Sequence, residues 1–169
     1  MRFPRLKQLM QRDGMSDKFQ ACWFSTYSPA LDADIDAQLA ERPWLPDDYV
    51  DFLRLTDGAV LEMFVFYGLR DGHTFPIADK GFYTEPYGND WYAVGHDPAG
   101  DAFVLHRTGR IATIGSDPPP DEPVPLCDTF HDLIENICCG ERYIEYFGGP
   151  PEPDESEWLD HLRLQGWVV

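Results

Sequence analysis

The residues best suited to chemistry lie in the segment 96–101, where one histidine and two aspartates flank a turn containing proline and glycine. An imidazole and two carboxylates near one turn could bind a divalent metal ion, and such an ion can activate water for hydrolysis. The same residues also suit a structural role, in which Asp97 caps the turn backbone and His96 ends a strand at the surface. The pattern favours the structural role. A metal-assisted hydrolase using His96, Asp97 and Asp101 is the alternative.

A second pair, Cys127 and His131, has the i, i+4 spacing of neighbours at a helix start, where the pKa of a thiol can fall. Cys127 precedes the expected first residue of that helix, so its side chain need not face His131. The chain contains no GxSxG elbow, P-loop, GxGxxG or HExxH motif. We therefore expect a protein that is not an enzyme, with no catalytic residue, cofactor or bound metal.

A β-hairpin is the element that positions the turn. A short apolar strand covers Trp91–Gly95, and the arms of the hairpin are predicted at Ala102–His106 and Arg110–Ile114. Gly100 can adopt the positive φ that a tight turn requires, and Gly109 can do so between the two arms. Because side chains alternate along a strand, Phe103 and Leu105 should lie on one face of the first arm, and Ile111 and Thr113 on one face of the second.

Apolar residues spaced three and four apart, together with capping residues, predict the helices. Ser28 and Pro29 suit the start of one helix, Pro46 starts a second, and Asp128 is the expected N-cap of a third. These helices should end near Arg42, at Gly58 and at Gly140. Two further helices are predicted over residues 5–12 and 155–164, with Trp158, Leu159 and Leu162 as the docking face of the last.

The remaining segments are predicted as strands and connections. The run 60–69 is apolar on both faces, which indicates one long central strand. Residues 75–78 suit a short strand, and residues 142–147 suit a last short strand or a turn. Residues 80–90 form a loop, and the acidic, proline-rich segment 116–125 should be a loop or a polyproline-like connection.

The bulk composition indicates one folded, acidic domain. The chain has 169 residues, of which 43% are hydrophobic, and a formal net charge of −17. This charge disfavours nucleic acids and anionic membranes as direct partners and favours a cationic one. Residues 117–160 contain thirteen acidic side chains and only one basic one, Arg142, so one end of the molecule should carry a strong negative field.

The cysteines and the amino terminus indicate a reducing compartment. The four cysteines form no CxxC pair, and no apolar run approaches the length of about 20 residues that spans a bilayer. The first fourteen residues contain basic side chains but lack the apolar region of a secretory signal. We therefore expect reduced thiols, with Cys138 in the core, and a cytoplasmic location.

The order of several segments resembles the SUKH superfamily, the cell-wall-assembly-regulator-like group that includes many bacterial immunity proteins. The resemblance lies in LPDDYVDFLRLTDGA at residues 45–59, the apolar strand after it, the Gly100-Asp101 turn that opens DAFVLHRTGRI, and the helix DTFHDLIENI. It covers roughly residues 28–147. It implies a single α+β domain with a mostly antiparallel, twisted sheet flanked by helices. On that basis, residues 1–27 form an N-terminal extension, and residues 148–169 form a linker with a helical tail that packs on the domain.

The resemblance also implies a non-enzymatic function, which is binding and neutralising a polymorphic toxin, often a nuclease. A basic toxin domain would suit the negative charge of this chain. Aromatic and acidic residues near the sheet are the expected contacts of such a partner, and they are Glu85, Tyr87, Trp91, Tyr92, Asp97 and Asp101. A regulatory scaffold that docks a neighbour through residues 158–169 is a further alternative.

Overall fold

A computed structural model of the protein describes residues 2–11, 24–70, 84–115, 119–149 and 156–169. Within these residues, seven strands form one sheet in which each strand pairs antiparallel with the next in sequence. The strands are β1 (Phe24–Thr26), β2 (Ala59–Leu61), β3 (Phe64–Phe66), β4 (Trp91–His96), β5 (Ala102–His106), β6 (Ile111–Ile114) and β7 (Val124–Cys127). The predicted α+β fold with an antiparallel sheet is confirmed.

The helices supply the second layer of the fold. They are α1 (Pro4–Met10), α2 (Asp32–Glu41), α3 (Asp47–Leu55), α4 (Phe130–Asp132), α5 (Arg142–Tyr146) and α6 (Glu157–Leu164). α4 runs directly into a π-helix at Leu133–Cys138. The main core contains residues from these helices and from one face of the sheet, including Phe52, Phe66, Phe103 and Phe130. A smaller apolar cluster, formed by Ala93, Ala102, Val104, Ala112 and Ile114, contains strand residues alone.

The predicted hairpin is present. Phe103 pairs with Thr113 and Leu105 with Ile111, so this register places the two predicted pairs on the same face of the hairpin. β4 pairs with β5 through an irregularity between Ala93 and Gly95. A Cβ atom at Gly95 would lie 2.3 Å from the backbone oxygen of Val65, so this position requires glycine for the close approach of β3 and β4.

The prediction of one strand over residues 60–69 is wrong. The chain reverses between β2 and β3 at Glu62 and Met63, and Glu62 has a φ of 58°, an uncommon value for a non-glycine residue. Tertiary contacts hold this turn, since the hydroxyl of Tyr143 donates to Glu62 Oε2 and Ser156 Oγ donates to Glu62 Oε1 at 3.3 Å. No local turn motif marks the reversal, because the residues that stabilise it come from far along the chain.

The environment of Glu62 predicts a pH effect on stability. Burial raises the pKa of this carboxyl above its ordinary value of 4.5, although its hydrogen bonds with Tyr143 and Ser156 oppose the shift. The folded state therefore binds this proton more tightly than the unfolded chain. The contribution of this proton to the free energy of unfolding is fully present below the pKa of Glu62 in the unfolded chain. It is lost as the pH rises through the pKa of Glu62 in the folded protein. We expect Glu62→Gln to gain stability relative to the parent protein as the pH rises from about 4 to about 7.

Urea unfolding of both proteins across this pH range measures the effect. Glu141→Gln is the matched control, because Glu141 is exposed and should show a smaller change in relative stability. A difference between Glu62→Gln and the parent protein that is constant with pH, or that moves in the opposite direction, would contradict the expected burial of the charged group.

The start of the third predicted helix also differs from expectation. Val124–Cys127 is an edge strand, so part of the proline-rich connection belongs to the sheet, and Pro125 is tolerated because the strand lies at the edge. The N-cap is Thr129 and not Asp128, since Thr129 Oγ1 accepts a hydrogen bond from the backbone N–H of Asp132 at 3.0 Å. Residues 116–118 lie outside the described residues.

The π-helix is joined to the N-terminal helix. The carboxylate of Glu135, which is 4% exposed, accepts hydrogen bonds from the backbone N–H groups of Arg5 and Leu6 at 3.0 and 3.1 Å. The guanidinium of Arg5 donates to the backbone oxygen atoms of Glu135 and Cys139 at 2.6 and 3.3 Å. These bonds satisfy donors at the start of α1 and acceptors at the end of the π-helix. They also place residues outside the region of resemblance in direct contact with it.

The bounds or type of three further predicted elements differ from the structure, and a fourth prediction cannot be compared with it. α2 begins at Asp32 with Leu31 as its N-cap, whereas Ser28 and Ala30 pair with backbone groups after and within α3. Arg142–Tyr146 is helical and not a strand or turn. The helix predicted over residues 5–12 spans Pro4–Met10. The short strand predicted over residues 75–78 lies outside the described residues.

The docking face predicted for the C-terminal helix is confirmed. Trp158, Leu159 and Leu162 are at most 1% exposed and belong to the main core. Leu6 and Leu9 of α1 belong to the same core, so both terminal helices pack with the elements between them. The boundaries given above for the extension, the domain and the tail stay predictions.

Candidate functional site

Asp97 closes the turn between β4 and β5. One oxygen, Oδ1, accepts hydrogen bonds from the backbone N–H groups of Ala99 and Asp101, both at 2.9 Å. The other oxygen, Oδ2, accepts a hydrogen bond from the hydroxyl of Tyr146 at 2.7 Å. The residue is 7% exposed. Both oxygens are therefore engaged within the fold, as the interpretation of Asp97 as a turn cap predicted.

His96 is half-buried beside this turn. Its Nδ1 atom and the hydroxyl of Tyr67 are 2.9 Å apart and form a hydrogen bond. Burial lowers the pKa of His96, and the neighbouring charge of Asp97 opposes that shift. Across the described ranges, no group of three or more histidine, cysteine, aspartate or glutamate residues is placed to hold a metal ion.

The cysteines of the described part of the chain lie in environments that suppress thiolate formation. Burial, together with the negative charge of Asp132, raises the pKa of Cys127 to about 12. Cys138 and Cys139 are fully buried, and burial raises the pKa of both thiols. These shifts run opposite to the lowered pKa of a nucleophilic cysteine. Cys22 lies outside the described residues.

We therefore expect Cys138 and Cys139 to resist a thiol reagent such as iodoacetamide in the native protein at pH 8 and to react fully in concentrated urea. A thiol reacts as its thiolate, and a buried, neutral thiol offers the reagent neither charge nor access. Peptide mass mapping identifies each modified cysteine. Native labelling of Cys138 or Cys139 at the rate of the unfolded chain would show that the π-helix opens readily.

The six residues predicted to contact a partner do not form one surface. Trp91 pairs with His106 at one end of β4, whereas Asp97 follows the other end. A strand rises about 3.3 Å per residue, so these two ends are roughly 17 Å apart. Asp101 is half-exposed and lies with Asp97 at the far end.

Tyr92 is a core residue and cannot present its ring to a partner. It is 5% exposed, its ring centre lies 5.8 Å from that of Tyr49, and its hydroxyl donates to Gln38 at 3.2 Å. Alternation along β4 turns Tyr92 toward the helices and Trp91 toward the opposite face. Tyr92 and Asp97 are therefore removed from the candidate contact surface.

Tyr87 and Trp91, with Glu85 close in sequence, border a groove of about 640 Å³. A 3₁₀ turn at Glu85–Tyr87 forms one wall, and the hydroxyl of Tyr87 donates to the backbone oxygen of Pro120 at 2.6 Å. This bond ties the 3₁₀ turn to the proline-rich connection, which contributes Asp121, Glu122, Pro123 and Pro125 to the lining. We call this site the Trp91 groove. Its charged lining residues are Arg110, Asp121, Glu122 and Asp128.

Sequence reasoning did not identify those four charged residues as part of a site. The sequence did show that the acidic region at residues 117–160 contains Asp121, Glu122 and Asp128. It did not show that residues of β6 and of the 3₁₀ turn line the same groove. The pairing of β6 with β7 brings the proline-rich connection to the edge of the sheet, and the groove at that edge is lined by these acidic residues and by Trp91 of β4. Such long-range placement is not encoded in any local motif.

The described helices include none that is both long and apolar enough to cross a membrane. The family model of the SMI1/KNR4 family (SUKH-1) matches residues 29–136. The chain therefore belongs to this family, and the resemblance noted from residues 45–59 and the hairpin is confirmed. A search of curated proteins found no match.

Proposed function

We propose that this protein is a non-enzymatic binding protein of the cytoplasm, and specifically an immunity protein that neutralises a basic toxin domain. The match to the SUKH-1 family over residues 29–136 is the observation that carries the proposal, because the superfamily includes many immunity proteins. The engaged carboxylate of Asp97 and the raised pKa of Cys127, Cys138 and Cys139 agree with a role that requires no reacting group.

The charge of the chain supports a basic partner. The formal net charge is −17, and exposed carboxylates lie on α2, at Asp32 and Asp36, as well as at the Trp91 groove. A field of this sign raises the rate of encounter with a positively charged protein, by about 10- to 1,000-fold in favourable cases. It also disfavours acidic competitors through repulsion.

Capture from the native cell extract tests this proposal. The tagged full chain is incubated with the extract at low and at high salt, and a tagged acidic protein of similar net charge serves as the control. We expect one basic protein to be retained in stoichiometric amount by this chain alone and to be released at high salt. Absence of a stoichiometric partner, or retention of an acidic one, would contradict the proposal.

A further inference from the structure

The Trp91 groove combines two aromatic lining residues with a negatively charged rim. Tyr87 and Trp91 are each partly exposed at the groove, and Asp121, Glu122 and Asp128 are exposed around it. The face of an aromatic ring attracts a cation, and carboxylates bind a guanidinium in a fork geometry. These two features together favour a positively charged side chain over a neutral or negative one.

We propose that the Trp91 groove binds an arginine side chain carried by an extended segment of a basic partner protein. The inference rests on the proposed function and gives it a location and a chemistry. Arginine suits this groove better than lysine, because its planar guanidinium can stack on an indole ring while its N–H groups reach carboxylates. Charge complementarity between the rim and the partner is the argument for this occupant.

The groove is also built to keep its shape. The hydrogen bond of 2.6 Å between Tyr87 and Pro120 joins the 3₁₀ turn to the proline-rich connection. Pro86, Pro123 and Pro125 line it, and each has a fixed φ. A preformed site loses little conformational entropy when a ligand enters, so modest contacts can produce measurable affinity. A volume of about 640 Å³ accommodates one long side chain and the adjoining backbone.

The charge of Arg110 distinguishes a cationic ligand of the groove from an anionic one. It is exposed and supplies positive charge among the lining residues, against the three carboxylates of the rim. An incoming arginine is repelled by Arg110, whereas an anionic ligand would be attracted by it. Removing this charge should therefore strengthen binding of a cationic segment and weaken binding of an anionic one.

Fluorescence anisotropy with the full chain tests the site. The probes are labelled peptides of alternating arginine and glycine, lysine and glycine, and glutamate and glycine. We expect Asp121→Asn/Glu122→Gln to weaken the arginine peptide roughly fivefold or more, and Arg110→Ala to tighten it roughly threefold. Asp32→Asn/Asp36→Asn on α2 makes the same change in net charge away from the groove and should alter affinity less than twofold.

Each result decides the inference in one direction. Equal losses in the groove variant and the α2 variant would show that the peptide senses net charge alone, which overturns the site. Weaker arginine binding after Arg110→Ala, or tighter binding of the lysine peptide than of the arginine peptide by the parent protein, would overturn it too. Trp91→Phe retains an aromatic face and is expected to bind more tightly than Trp91→Leu, with folding of both verified by circular dichroism.

The same variants distinguish this inference from the proposed function. If a basic protein is captured and the groove variant binds it as well as the α2 variant does, the groove is wrong and the function stands. If peptide binding follows the groove variants but no protein partner exists, the site stands and the immunity function is wrong.

Discussion

Replacing Trp158 with alanine is expected to lower the free energy of unfolding by about 3–5 kcal/mol. The side chain is fully buried, and its ring stacks on that of Phe24 with the centres 6.3 Å apart. Its indole N–H donates to the backbone oxygen of Cys138 at 2.8 Å. The substitution therefore creates a large cavity in the main core and leaves a buried carbonyl without this donor. Urea unfolding monitored by circular dichroism measures the loss.

Two variants of the same helix and site serve as controls. Leu164, at the end of α6, is 82% exposed, so Leu164→Ala should change stability by less than about 0.5 kcal/mol. Trp158→Phe retains much of the ring volume but no donor, and we expect an intermediate loss. A loss below about 1 kcal/mol for Trp158→Ala would show that α6 is a dispensable tail.

The burial of Trp158 also bears on the scaffold alternative. That alternative requires residues 158–169 to dock a neighbouring protein through an apolar face. Trp158, Leu159 and Leu162 instead pack against the core of their own chain. Exposing these side chains to a partner would first cost the stabilisation that comes from burying them in the core.

Replacing Asp97 with alanine is expected to lower the free energy of unfolding by about 2–4 kcal/mol. The carboxylate accepts hydrogen bonds from the backbone N–H groups of Ala99 and Asp101 and from the hydroxyl of Tyr146. Hydrogen bonds to a charged acceptor are each stronger than neutral ones, and their loss leaves donors unsatisfied inside the turn. The turn between β4 and β5 should therefore loosen, and thermal or urea unfolding will report it.

The controls separate this local role from the loss of a charge. Asp97→Asn retains the shape and one carbonyl acceptor, so its loss should be smaller. Asp90 forms an exposed ion pair with Arg107 at 3.2 Å, and Asp90→Ala should cost at most about 1 kcal/mol. If Asp97→Ala left stability unchanged but abolished partner binding, Asp97 would return to the contact surface that the sequence suggested.

The sequence predicted the elements that are specified by residues close together along the chain. The hairpin of β5 and β6 follows from its apolar arms and from Gly109 between them, and α3 follows from Pro46, early aspartates and the spacing of Tyr49, Phe52 and Leu53. These residues specify the same element at every level, through propensity, pattern and turn chemistry.

The missed features depend on contacts between distant residues. The reversal at Glu62 is stabilised by Tyr143 and Ser156, and the π-helix is held by Arg5, more than 120 positions away. The assignment of Tyr92 to the same contact surface as Trp91 could have been avoided from the sequence alone. Adjacent residues of a strand face opposite sides of the sheet, so Trp91 and Tyr92 cannot share one surface. The Trp91 groove could be predicted only from the pairing of β6 with β7. The prolines of the connection indicated a loop there and not a strand.

Protection of growing cells tests the central proposal most directly. The basic protein captured from the native extract is expressed in a laboratory host alone, with this chain, and with a SUKH-1 protein of different sequence as the control. The proposal predicts arrested growth in the first and third cultures and normal growth in the second. Normal growth without this chain, or arrest that this chain does not relieve, would contradict the assignment as an immunity protein.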